Sequence, residues 1–83
     1  RIYLVNITEF DPLNSLHTHA TFFSEYRTGT RLTPNNFTDV CVLAQAERAV
    51  LELTYKFPGT YMFHAHQTEF SELGWTGMFQ VTE

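Results

Sequence analysis

A single cysteine, Cys41, leaves this 83-residue chain with no internal disulfide and no thiolate set for a zinc or iron–sulfur site. Basic residues are few, five against nine acidic ones, for a net charge of −4. That balance offers no basic stripe to a nucleic-acid backbone. No apolar run approaches the roughly 18 residues of a membrane-spanning helix, and no signal peptide is visible. What is present is apolar and aromatic: 43% hydrophobic and 16% aromatic residues mark a globular chain rather than a disordered one. Residues 1–83 read as one domain, small for building a core without help.

Turn residues divide the chain into short stretches of alternating character. Arg1 to Ile7 opens in strand with no lead-in, which predicts a domain missing its first strands. Asp11-Pro12-Leu13-Asn14-Ser15 carries turn residues. Leu16 to Phe23 then alternates, with Leu16, Thr18, Ala20 and Phe22 on one face and His17, His19 and Thr21 on the other. Arg27 to Asn36 reads as a long loop, Asp39 to Leu43 as a short strand, and Ala44 to Arg48 as its polar connection. Ala49 to Phe57 alternates most cleanly, and Pro58-Gly59 turns the chain into another strand-like run. Thr68 to Leu73 predicts one helical turn ended by Gly74, and Met78 to Val81 a last strand. The pattern predicts an all-β sandwich or barrel. Trp75, Tyr61, Met78 and the phenylalanines read as core, as does the lone Cys41. Asn6-Ile7-Thr8 and Asn36-Phe37-Thr38 match the glycosylation triplet, but chance is the simpler reading of so common a pattern.

All four histidines fall in two His-x-His pairs, His17-Thr18-His19 and His64-Ala65-His66. On a strand, residues two apart share a face, with Cα atoms roughly 7 Å apart. His64 and His66 therefore share one face with Met62, while Tyr61, Phe63 and Ala65 point the other way, into the sandwich. One such pair alone reads most simply as surface or hydrogen-bonded core residues. Two pairs with no other histidine in the chain predict a metal site on the domain's exterior, and imidazole suits copper, zinc, iron or nickel. Glu69 and Glu72 follow the second pair and are candidates for orienting a ligand or relaying protons, with solvated loop acids as the plainer reading.

Leu16-His17-Thr18-His19 and the run from Gly59 to His66, followed by Gly74-Trp75-Thr76-Gly77-Met78-Phe79, resemble the cupredoxin domains of multicopper oxidases over Ile2 to Val81. The resemblance implies a cupredoxin-like Greek-key β-sandwich that supplies half the histidines of a trinuclear copper cluster. The other half would come from a second cupredoxin domain, in the same chain or in a neighbouring subunit of a homo-oligomer, a trimer. It implies His17 as ligand of the type 2 copper, and His19, His64 and His66 as ligands of the type 3 pair. Where a laccase-like domain with a blue type 1 copper has a cysteine and two further histidines, this chain has Ala65, Phe70 and Asn14. The resemblance thus implies a domain without a type 1 site. Within a periplasmic or extracellular oxidase, it would act on a small reducing substrate and dioxygen. The isolated chain is expected to be inactive. Two other readings stand beside this one: a copper nitrite reductase-like domain, and a non-catalytic module whose four histidines hold one metal ion.

Overall fold

The computed structural model describes residues 1–83 as eight strands and one short helix. The strands are β1 (Ile2–Val5), β2 (Leu13–Thr18), β3 (Phe23–Arg27), β4 (Asn36–Thr38), β5 (Val40–Ala44), β6 (Arg48–Leu53), β7 (Gly59–His64) and β8 (Thr76–Val81), with α1 (Thr68–Glu72) between the last two. They form two four-stranded sheets, ordered β1-β6-β3-β4 and β5-β2-β7-β8. Every pairing is antiparallel. This is the all-β, cupredoxin-like sandwich that the alternating stretches and the family resemblance imply.

Alternation fixes which residues enter the core. Ala49 and Leu51 of β6 point inward and meet Phe23, Cys41 and Leu43, with Ile2, Leu4, Leu16 and Leu53 packed around them. At the other end Tyr55 stacks on Tyr61 and Phe63 on Phe79, with centroids 4.2 and 4.4 Å apart. Gly77 lies opposite Phe63, and a Cβ there would come within 2.5 Å of the Phe63 ring, so only glycine lets that ring lie across β8. Between the sheets a cavity of about 360 Å³ remains, lined by Leu4, Ile7, Leu16, Phe63 and Trp75 among others. Asn14 also lines it, buried, with its Nδ2 making no hydrogen bond.

Several local expectations are corrected. The run from Leu16 to Phe23 is not one strand: Ala20 takes a left-handed φ of 65° and breaks it, so β2 ends at Thr18 and β3 begins at Phe23. Leu13 to Ser15 belong to β2 rather than to a turn, pairing with Ala44 to Val42. Alternation past Leu53 does not continue β6, and Phe57 is exposed. Met78 is not core; it faces outward opposite Met62. Phe10, Phe37 and Phe57 are also largely exposed and Trp75 and Phe22 about half exposed, whereas Phe23 and Phe70 are buried. The Asn6 triplet is a turn device: buried Asn6 donates Nδ2 to Leu43 O and accepts from both the amide and the hydroxyl of Thr8. The expected helical turn stands as α1, followed by Gly74 at φ 108°.

Cys41 is fully buried on β5, opposite Leu16. Burial, and then the neighbouring Glu25 carboxylate, push its thiol up to about 12. The folded thiol keeps its proton where an unfolded one, near 8.5, has lost it, so stability falls as pH climbs from about 8.5 toward 12. Two results are expected. A thiol reagent at pH 8 should leave the native protein unmodified and label it once denaturant is added. A Cys41→Ala variant should show a shallower alkaline decline in thermal midpoint than the parent. Rapid native labelling at pH 8 would contradict the buried placement.

Candidate metal centre

The neighbouring strands β2 and β7 assemble the two histidine pairs. Their antiparallel register sets His17 directly opposite His64, so the imidazoles project from the same face of the sheet. His19 lies one residue beyond β2; its amide donates to Met62 O at 3.1 Å and its carbonyl accepts from the Tyr55 hydroxyl at 3.1 Å. His66 lies two residues beyond β7, and its amide donates to Ser15 Oγ at 3.0 Å. Ala65 between them is buried, as the alternation requires.

Three imidazoles converge. One ring nitrogen from each of His17, His19 and His64 falls within 4.8 Å of the others. The Nε2 atoms of His19 and His64 are only 3.0 Å apart. With metal–nitrogen bonds of roughly 2.0–2.1 Å, nitrogens so spaced subtend roughly 90–100° at a shared ion. His66 stands at the margin, exposed, its ring 5.5 Å from that of His17 and 6.4 Å from that of His64.

Backbone carbonyls orient two of the rings. His17 Nδ1 lies 2.8 Å from Asp39 O, and His64 Nδ1 lies 2.7 Å from Ala65 O. A carbonyl only accepts, so each Nδ1 carries the proton and each Nε2 keeps its lone pair for a ligand. Second-partner bonds of this kind fix the tautomer of metal-binding histidines generally. The donor set of neutral imidazoles, without thiolate or carboxylate, fits copper. Glu69 and Glu72 are exposed on α1, and neither is among the groups that converge. The α1 residue that does reach a histidine is Ser71, whose Oγ lies 3.3 Å from His64 Nδ1. Sequence reasoning passed over it because a serine among loop acids carries no distinguishing pattern.

A two-sheet antiparallel sandwich with an exterior imidazole cluster is a domain of the cupredoxin type whose histidines are compatible with metal binding. The multicopper oxidase family profile matches residues 1–83. A multicopper oxidase of Staphylococcus epidermidis is 35% identical over 69 residues, covering 80% of this chain. One of Staphylococcus aureus is 40% identical over 45 residues, covering 54% of this chain. A crystal structure of a multicopper oxidase superposes with a TM-score of 0.95 at 53% identity over 98% of this chain. The chain belongs to the multicopper oxidase family. It spans 15% of the length of the Staphylococcus epidermidis relative and 28% of that crystallised chain.

Proposed function

We propose that this chain supplies one half of a trinuclear copper site that reduces dioxygen to water, with His17 on the type 2 side and His19, His64 and His66 on the type 3 side. The observation that carries the reading is the opposed register of His17 and His64, with the Nε2 of His17 left unprotonated and that of His64 turned to His19 Nε2 at 3.0 Å. Copper held there would supply one-electron chemistry toward dioxygen. The chain's own part is to bind and orient. Asp39 and Ala65 fix two ring tautomers, and the sheet fixes the spacing. The cluster is open on its outer side, with His19 and His66 exposed, which leaves room for the ligands of a second cupredoxin domain or subunit. A laccase-like oxidation of small reducing substrates would begin at a type 1 copper in that partner. Its absence from this chain is supported by the lone cysteine, which is sealed in the core, paired with Leu16 rather than with a histidine.

Metal analysis and a visible spectrum test this. The chain should bind copper yet show no intense thiolate-to-copper band, and oxygen consumption by the copper-loaded chain should stay far below that of the complete protein. An intense blue band in the isolated chain would overturn the assignment. The grouping of three histidines, with His66 apart, favours one alternative, a single-ion site of three imidazoles. One copper per site in the complete protein would support that alternative, three the trinuclear reading.

A further inference from the structure

We propose that Ser71 is a positioning residue for His64, acting through the Ala65 carbonyl. The difference between the two oriented histidines motivates this. At His17 the accepting carbonyl, Asp39 O, is itself held by the backbone, because the Thr18 amide donates to it at 3.1 Å. At His64 the accepting carbonyl belongs to Ala65, one residue past the end of β7. There a side chain takes the backbone's place: the Ser71 hydroxyl donates to Ala65 O.

The geometry selects one tautomer. A carbonyl oxygen has two lone pairs, enough for both the Ser71 hydroxyl and the His64 ring N–H. With its proton committed to Ala65, Ser71 Oγ turns a lone pair toward His64 Nδ1 at 3.3 Å. Two acceptors thus bracket the Nδ1 proton, and the Nε2 lone pair faces His19. Helix α1 sets Ser71 in place: its amide donates to Gln67 O and its carbonyl accepts from the Gly74 amide, both at 3.1 Å. Without the hydroxyl, the Ala65 carbonyl loses its anchor and Nδ1 loses one of its two acceptors. The imidazole is then free to carry its proton on Nε2, where it blocks the ligand position.

The consequence for copper rests on the half-site reading; the tautomer does not, and the two can be judged separately. Ser71→Ala, Ser71→Cys and Ser71→Thr are compared in the complete protein labelled with ¹⁵N in its imidazoles, with His64 signals identified by their loss in His64→Gln. In the metal-free parent, two-bond proton–nitrogen spectra should show His64 protonated at Nδ1. Ser71→Ala should shift a substantial fraction to the Nε2-protonated form, and Ser71→Cys, a weaker donor of similar size, should do the same. Ser71→Thr, which keeps the hydroxyl, should restore the parent pattern. Titration with cuprous ion against a competing chelator should show about a 10-fold weaker affinity in Ser71→Ala, within the roughly 10–100-fold range for such supporting partners. Parent-like tautomer populations in both Ser71→Ala and Ser71→Cys would overturn the inference, whatever their copper affinity. A parent that binds no copper would remove the half-site reading, and the tautomer populations would still decide the role of Ser71.

Discussion

Replacing His64 with alanine in the complete protein is expected to abolish oxygen reduction, with a loss exceeding the roughly 100-fold that accompanies removal of an outer partner of a ligand. His64 is the hinge of the cluster: it faces His17 across the sheet and brings its Nε2 to within 3.0 Å of His19 Nε2. Without it, only two of the three converging imidazoles remain. His66→Ala should also stop turnover if a partner completes the site around it. Its effect on copper affinity in this chain alone should be smaller, because His66 stands outside the converging group. Oxygen-electrode rates and copper titrations on both variants check these expectations. The blue copper expected in the partner domain serves as the control for folding. Undiminished turnover in His64→Ala would place the reaction elsewhere.

Phe23→Ala should bring the fold close to collapse. Phe23 is fully buried in β3, between its partners Thr38 of β4 and Leu53 of β6. Truncating a buried phenylalanine costs about 3–5 kcal/mol. Small domains have little beyond the lower end of the usual 5–15 kcal/mol to lose. With a urea slope of about 2 kcal/mol/M, the unfolding midpoint should fall by about 2 M. Its sequence neighbour makes the internal comparison: Phe22 is half exposed and meets Phe37 with centroids 5.5 Å apart. Phe22→Ala should cost less than about 1 kcal/mol. Equal losses from the two variants would show that β3 does not present the face described.

The convergence of His17, His19 and His64 was legible because it rests on alternation and on residue identity, whereas His66, two residues beyond β7, stands outside it. Ala49 and Leu51 of β6, both buried, were legible for the same reason. Strand β3 was not. Its second inward position is Glu25, buried and held by the Asn36 amide at 3.0 Å, so Phe-Ser-Glu-Tyr-Arg shows no apolar alternation. Strand β4 is three residues long and begins at Asn36, where the stretch read as loop ends. The break at Ala20 was hidden because alanine in a left-handed conformation carries no compositional mark. The exposed aromatics were misassigned because residue type reports the capacity for burial, and which strand pairs with which decides its use. Ser71 needed the fold itself, since only the turn from β7 into α1 brings its hydroxyl beneath the Ala65 carbonyl.

The pairing of β2 with β7 joins segments that are far apart along the chain; His19 and His64 alone are separated by 45 positions. Contacts of such separation carry a loop-closure cost before they return anything, and they tend to form late. During folding, then, the domain passes through a period in which the two His-x-His pairs are separate short chelators. A metal ion that arrives then can bind the unfolded chain as well as the folded one, which weakens its stabilising effect on the native state. An ion that binds after the sheet has closed meets three imidazoles already aimed together.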